Sequence, residues 1–325
     1  MYLRALCEHS RMEAMTKDLK QLFQEFMYEC EYVAKLRPRT ILGYKKAFET
    51  FVKYTPGLAL EALTSQMIIK FFKTLNERNR IVGKGVIKNG IRNSTAGAYW
   101  CKLNAFCKWL ETNRCIATNP FAKLKFPKIS YDEIKFIKKE EVERILAATY
   151  NCNYNSPFLL ERNLSIIYLL LFSGIRREEL LSLQIRDLNM NKKTIVIRAE
   201  TSKSGRTRIL PLHPTVVLHL KTYLVIRKKI ASQFLFVSSQ TKERLSTDGF
   251  KHFIGNLNNH SGVRFHTHQF RHTFAVNFLK SNNNIHTLMY LLGHTDVRVT
   301  IQYLRYVPND ELKGNIAKLT VDGLI

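Results

Sequence analysis

Leu164-Ser165-Ile166-Ile167-Tyr168-Leu169-Leu170-Leu171-Phe172 runs without a charge and stops at Ser173-Gly174; Thr194-Ile195-Val196-Ile197 and Arg208-Ile209-Leu210-Pro211-Leu212 follow. The first run is strongly apolar and reads as a helix, broken where glycine interrupts the pattern. The two later runs read as short strands, joined through the polar Ser202-Lys203-Ser204-Gly205 turn into a β-hairpin. Around that hairpin the pattern is helical: a run opens at 138–148, and helices are expected at about 215–230, 247–258, 268–279 and 285–291. This half of the chain is mainly α with a small antiparallel sheet.

Working back toward the N-terminus, the pattern is helical from residue 17 to about residue 120. Leu19, Leu22, Phe23, Phe26 and Met27 recur at the spacing of a core-facing helix stripe. A second helix starts near Arg39-Thr40, just after Pro38, with Ile41, Tyr44, Phe48 and Phe51 on one side. A third covers 65–75 with Ser65 as candidate N-cap. A fourth runs over 94–112 with Trp100, Leu103, Phe106, Cys107 and Leu110 inward. Segment 78–93 holds three glycines, five Lys/Arg and no acid, and reads as a loop, either near phosphates or simply solvated. Asn119-Pro120 ends the helical unit. The expected organisation is an extension at 1–16, a helical domain at 17–120, a linker at 121–137 containing Pro127, a second domain at 138–306 and a tail at 307–325. Met1 to Met15 stand outside the pattern, as an arm, a regulatory helix or a misplaced start codon.

A length of 325 residues suggests two domains. The formal charge is +25, from 51 basic and 26 acidic residues. Through Lys128 there are 23 basic and 10 acidic residues (+13), and after it 28 and 16 (+12). Both halves carry the excess, which suggests two basic domains around a long polyanion and not a basic tail. The six cysteines, Cys7, Cys30, Cys101, Cys107, Cys115 and Cys152, form no CxxC pair; Cys101 and Cys107 sit in an apolar helical pattern and are expected in the core. No apolar run approaches the roughly eighteen residues of a membrane span, and the first fifteen residues lack a signal-peptide core. A reduced, cytoplasmic protein is expected.

The residues with chemical potential lie far apart. His268-Gln269-Phe270-Arg271 precedes Leu292-Gly293-His294, and Tyr303 comes nine residues after His294. With a pKa of about 10, a phenol is ionised in only about one molecule in a thousand at neutral pH. It needs a proton acceptor, and a phosphate under attack needs cations. His268 and Arg271, three residues apart, share a helix face. Arg176 follows a helix-ending glycine and opens a new helix, against the dipole, so a partner should hold it; Glu179 is the candidate. Lys203 sits at the hairpin tip, where an ammonium can reach a DNA groove or a leaving-group oxygen. Gly293 reads as a helix C-cap. Tyr306 competes with Tyr303. His266, His268 and His272 offer a metal alternative, but the zinc-protease pattern wants Glu after the first His, where Gln269 stands, and no third ligand follows at a recognised spacing.

Together these residues resemble the tyrosine recombinase (phage integrase) family, in its Xer-like branch. The resemblance is carried by Ser173-Gly174-Ile175-Arg176 with Glu179-Leu180, by Lys203 five residues before Arg208-Ile209-Leu210-Pro211-Leu212, by His268-Gln269-Phe270-Arg271-His272-Thr273-Phe274-Ala275, and by Leu292-Gly293-His294 with Tyr303. It extends over 40–51 and Asn119-Pro120. Ser173 stands where threonine is usual and Gln269 where aspartate is usual. The resemblance implies a mainly α (α+β) fold: an N-terminal helical core-binding (SAM-like) domain and a C-terminal mixed catalytic domain with a small antiparallel sheet. It also implies a metal-independent, cofactor-free site-specific recombinase acting in DNA integration and recombination of mobile elements.

By the same resemblance Tyr303 is the nucleophile, Arg176 and Arg271 grip the phosphate, Lys203 protonates the leaving oxygen, His268 moves the tyrosine proton and His294 hydrogen-bonds the phosphate. Glu179 and His272 support them, and the division of acid and base roles between Lys203 and His268 stays open. The implied partners are double-stranded DNA sites, three further subunits in a tetramer on two duplexes, and accessory or directionality proteins, with no membrane. The two domains would form a C-shaped clamp, and the tail would pack on a neighbouring subunit. The competing activity is type IB topoisomerase-like relaxation without a specific site.

Overall fold

A computed structural model describes residues 18–82, 85–126, 134–152, 154, 156–282 and 284–307. The chain divides into two compact units, Met1–Asp132 and Glu133–Ile325. The extension 1–16, Pro127 and the tail beyond Val307 lie outside the described residues.

In the first unit, α1 (Leu19–Tyr28) opens on a reciprocal cap. The Asp18 carboxylate accepts the Gln21 N–H at 2.7 Å, and the Gln21 side chain accepts the Asp18 N–H at 2.9 Å. Leu19, Leu22, Phe23, Phe26 and Met27 are all buried, as their spacing predicts. The helix runs on into a π-helical turn, Glu29–Val33. In α2 (Pro38–Tyr54) the proline occupies the first turn, where its missing N–H would have had no intrahelical partner. The N-cap of α3 (Ser65–Glu77) is Thr64 and not Ser65: Thr64, in extended conformation, accepts the Met67 N–H, while the Ser65 hydroxyl donates to the Pro120 carbonyl at 2.7 Å. α4 (Asn93–Thr112) buries Trp100, Leu103, Phe106, Cys107 and Leu110.

The core of this unit is aromatic. Phe23 and Phe48 stack at 3.8 Å, and the Phe106 ring stands edge-on to them at 5.2 and 5.6 Å. Rings of this size contribute roughly 1.5–3 kcal/mol each through burial alone. Cys107 belongs to this core, but Cys101 is exposed. Six residues are not a whole number of helical turns, so the two thiols point to different faces.

The basic segment expected as a loop is instead a hairpin of β1 (Asn79–Val82) and β2 (Val86–Asn89). Ile81 pairs with Ile87 and Arg80 with Lys88. The β-branched residues flanking the turn favour extended backbone, and Gly85 supplies a φ of 80° there. At the end of the unit, Phe121 is buried in the same core and Leu124 packs against it.

The second unit starts with Ile137 in its core and α5 (Lys139–Asn151). Its central element is α6 (Pro157–Ser173), whose Ser156 cap accepts the Phe158 N–H. Leu164, Ile166, Ile167, Leu169 and Leu170 are each no more than 1% exposed. A helix apolar all round belongs inside a protein, and α6 packs against α5, α8 (Pro214–Arg227) and α10 (Thr267–Asn282). It ends at Gly174, whose φ of 60° is the left-handed conformation of a helix cap. A Cβ there would come within 2.5 Å of Phe274 and 2.8 Å of Leu292. Gly174→Ala is therefore expected to lower stability by roughly 2–3 kcal/mol, through backbone strain and overpacking together. The urea midpoint of the purified variant measures this.

After the short α7 (Arg177–Leu181), the sheet follows. The expected hairpin is two strands of three: β3 (Leu188–Asn189) pairs with β4 (Thr194–Ile197), which pairs with β5 (Arg208–Pro211), all antiparallel. Burial alternates along β4 and β5, so that Ile195, Ile197, Arg208 and Leu210 face inward. The connection from β4 to β5 spans 198–207 and is longer than the turn expected. α9 (Thr247–Ser261), α11 (Ile285–Leu292) and α12 (Arg298–Ile301) complete the unit, and Tyr303 lies just before a 3₁₀ turn, Leu304–Tyr306. The observed class is the expected mainly helical one with small antiparallel sheets. Among the described residues no helix is long and apolar enough to cross a membrane.

Candidate active site

The site is built on the end of α11. A helix C-terminus leaves its last carbonyls without intrahelical partners and carries partial negative charge. Here three arginines take three successive carbonyls. Arg208 Nε donates to Leu291 O at 2.9 Å, Arg271 Nη2 to Leu292 O at 2.6 Å, and Arg176 Nη2 to Gly293 O at 3.1 Å. Gly293 has a φ of 62°, and a Cβ on it would stand 2.9 Å from the Arg208 guanidinium. The chain turns sharply there, and His294 follows.

Each arginine arrives from a different element. Arg176 is the N-cap of α7, three residues before Glu179, whose carboxylate accepts both the Arg176 backbone N–H and its Nη1 at 3.0 Å. Arg208 opens β5 and forms a two-pronged ion pair with Glu179, at 3.1 and 2.7 Å. Arg271, on α10, also donates to the Gly174 carbonyl at 2.7 Å, so one side chain bridges the ends of α6 and α11. Burial alone would raise the Glu179 pKa, but the bonds and charges of Arg208 and Arg176 outweigh it and hold the carboxylate below its ordinary range. Three guanidiniums less one carboxylate leave an excess of two positive charges at this helix end. Burial, then the nearby Arg176, pushes the Arg271 pKa down from its usual value.

The pKa values of His268, His272 and His294 are all lowered, by burial first. His294 Nε2 lies 2.8 Å from Arg271 Nη2, and a guanidinium only donates, so Nε2 accepts and Nδ1–H donates to Thr300 Oγ1 at 2.8 Å. Burial and the charges of Arg271 and Arg176 lower its pKa to about 3. His272, one turn along α10 from His268, meets that ring edge-on at 4.5 Å. Its Nδ1 lies 2.8 Å from the Tyr303 hydroxyl. Burial, His268 and Arg271 lower the His272 pKa to about 4. His268 keeps much of its surface open, yet desolvation and the charges of Arg271, Arg176 and Lys203 lower its pKa as well. Lys203 itself is exposed in the β4–β5 connection.

Tyr303 is only 2% exposed and packs with Ala275, Val276, Leu279, Leu288, Leu292 and Val307. Burial raises its pKa, and the fields of Arg271 and Arg176 offset this only in part. The rival Tyr306 is committed elsewhere: its hydroxyl accepts the Ile134 N–H at 2.7 Å and its ring meets Phe136 edge-on at 5.5 Å. Gln269, the departure from the family pattern, accepts the His266 N–H at 2.8 Å and so caps the start of α10. A cavity of about 340 Å³ opens beside the cluster, lined by Arg206, Arg208, Tyr290, Gly293 and His294 among others.

Of the residues singled out in the sequence, Arg176, Glu179, Arg271 and His294 gather at one helix end, and His268, His272 and Tyr303 form a second group along α10. Sequence reasoning gave no role to Arg208 or Thr300. Both lie in or beside quoted motifs, but nothing local marks their partners.

The depressed histidines make stability depend on pH. A His neutral in the fold and protonated in the unfolded chain gives stability that is complete above the unfolded pKa of about 6.5 and is lost as pH falls toward the folded value. Lowering pH from 7.5 to 5 is expected to cost on the order of 1 kcal/mol for each of His272 and His294. Urea midpoints at the two pH values check this, and His294→Asn should flatten the difference.

The sequence profile of the phage integrase family matches residues 135–309. The chain belongs to that family and is a tyrosine-type site-specific recombinase. It is 26% identical over 294 residues to a tyrosine recombinase of Thermosipho africanus, covering 89% of this chain and 97% of that one. It is 30% identical over 198 residues to the tyrosine recombinase XerA of Pyrococcus horikoshii, covering 60% and 65%. Among solved structures, the Tn1549 transposon integrase in complex with transposon right end DNA shares the fold, with a TM-score of 0.75 at 16% identity over 93% of this chain and 99% of that chain. A lambda integrase dimer bound to a core site shares it with a TM-score of 0.68 at 18% identity over 88% and 95%.

Proposed function

We propose that this recombinase cleaves and rejoins duplex DNA at defined sites through a 3′-phosphotyrosyl link to Tyr303. The observation that carries the reading is the convergence of Arg176, Arg271 and neutral His294 on the end of α11, with the Tyr303 phenol held from the helix that bears Arg271. Guanidinium forks fit phosphate oxygens and keep their charge at neutral pH. The excess positive charge is then met by the scissile phosphate and the negative charge that grows on it.

In the forward step the Tyr303 oxygen attacks phosphorus, the bond to the 5′-oxygen breaks, and the phenol proton passes to the His268/His272 pair. Lys203, from the β4–β5 connection, protonates the departing 5′-oxygen, and His294 gives up its Arg271 and Thr300 contacts to donate an N–H to a phosphate oxygen. The ester energy stays in the phosphotyrosyl bond, so a 5′-hydroxyl from another duplex can reverse the step without ATP. Two duplexes and four subunits satisfy that exchange, with accessory proteins setting direction. The basic first unit supplies phosphate contacts, so affinity falls steeply with salt. The setting is the cytoplasm, where the DNA is.

A nicked suicide duplex carrying the site tests the reading. A covalent protein–DNA complex should accumulate in EDTA at the full rate, because the arginines do the charge neutralisation that a metal does in many nucleases. Relaxation of a supercoiled plasmid that lacks the site, at the rate seen with the site, would favour the topoisomerase-like activity instead.

A further inference from the structure

The three guanidiniums at the end of α11 are not equivalent. Arg271 and Arg176 are assigned to the phosphate above, whereas the Arg208 fork is fully committed to protein partners. It is 3% exposed, and every nitrogen of its fork is engaged: Nε on the Leu291 carbonyl, Nη1 and Nη2 on Glu179. We propose that Arg208 is a positioning residue for strand cleavage, fixing Arg176 and His294 at once.

Glu179 is 1% exposed and accepts from both Arg208 and Arg176. Arg208 thereby keeps Glu179 ionised and in one rotamer, and Glu179 in turn aims the Arg176 fork. Through Nε the same side chain holds the Leu291 carbonyl, three residues before His294. Its guanidinium lies against Gly293, so that only a glycine leaves room for it at the turn that presents His294. Arg208 also begins β5, directly after the connection that carries Lys203. One buried side chain thus ties together the elements that present Arg176, Lys203 and His294. Phosphoryl transfer tolerates little displacement of such groups, and supporting contacts of this kind set the geometry of the residues that touch substrate.

The buried pair also supplies a way to separate positioning from mere stability. Removing one partner of a buried ion pair leaves a lone charge and destabilises, whereas removing both charges can restore stability. The proposal rests on the Tyr303 mechanism, so each protein is first shown to depend on Tyr303 for its covalent adduct. If wild-type adduct forms without Tyr303, the mechanism fails and not the role of Arg208.

The experiment compares Arg208→Met, Arg208→Lys and the double variant Glu179→Gln/Arg208→Met. Three quantities are measured for each: the thermal midpoint, the Kd for a site-bearing duplex, and the single-turnover cleavage rate at saturating protein. Arg208→Met should cleave about a hundredfold more slowly or worse, with Kd within about threefold of wild type. Arg208→Lys should recover part of the rate, since an ammonium can hold Glu179 but not the Leu291 carbonyl as well. The double variant should regain the thermal midpoint but not the rate. If the double variant recovers both, Arg208 only stabilises the fold and the proposal is overturned. It is equally overturned if Arg208→Met cleaves at the wild-type rate. Should Arg208→Met fail to fold, the double variant alone decides between these outcomes.

Discussion

Tyr303→Phe is expected to abolish the covalent protein–DNA complex on a nicked suicide substrate, a fall of about four orders of magnitude or more, as for loss of a covalent nucleophile. The substitution keeps the ring, which packs among Val276, Leu279, Leu288 and Leu292, and removes only the hydroxyl bound to His272. DNA affinity should stay near wild type and stability within about 1 kcal/mol, since one neutral hydrogen bond is at stake. Tyr306→Phe should show the reverse pattern. It removes the acceptor of the Ile134 N–H and costs about 1 kcal/mol, but leaves adduct formation intact. The two phenols differ because one is tied to a histidine on the arginine-bearing helix and the other to backbone. The buried state of Tyr303 adds a constraint: its oxygen is 2.8 Å from His272 Nδ1 and must leave that bond to reach phosphorus. His272→Ala would free the phenol at the cost of its first proton acceptor.

Arg271→Ala should be nearly as severe. Cleavage is expected to fall about a hundred- to a thousandfold, the usual loss when a charge-stabilising donor is removed from a transition state. Stability should fall as well, by roughly 1–3 kcal/mol, because the Gly174 and Leu292 carbonyls lose their shared donor inside the protein. His294 would also lose the contact that fixes its tautomer, and its pKa should rise back toward the ordinary range, since Arg271 is the largest charge depressing it after burial. Arg271→Lys keeps a charge but cannot serve two carbonyls, His294 and a phosphate from one point, so it should rescue stability better than rate. Single-turnover cleavage and urea midpoints on the same preparations separate the two effects.

How much of this was legible in the chain follows from what each signal requires. The stripe Leu19 to Met27 and the apolar run of α6 are local, and both came out as expected because burial imposes its period on contiguous residues. The capping roles of Gly174 and Gly293 were local too, since their conformations suit glycine alone. In the segment 78–93 the glycines and basic residues suggest a loop, while the β-branched Ile81, Val86 and Ile87 lie in a paired ribbon. Cys101 was placed inward because its neighbours are apolar, although its angle round α4 carries it to the surface. At the site, the order and spacing of the residues proposed as cations and nucleophile are local signals, but their contacts are not. His268 and His272 share a face of α10, and nothing in the sequence says which ring meets a phenol 31 residues away. Arg208 was harder still, because its two partners lie 29 residues before and 83 residues after it. Buried ion pairs depend on long-range contacts that no local period reports.

The proposed reaction requires that one phenol, that of Tyr303, become joined to the 3′ end of the cut strand. The most direct measurement is to trap the complex on a nicked suicide duplex labelled on the 3′-phosphate side of the cut, digest it with protease and sequence the labelled peptide by mass spectrometry. A single phosphotyrosyl peptide carrying the modification on Tyr303 is expected, with a free 5′-hydroxyl on the released strand. Label on Tyr306, or a protein linked to the 5′ end instead, would contradict it.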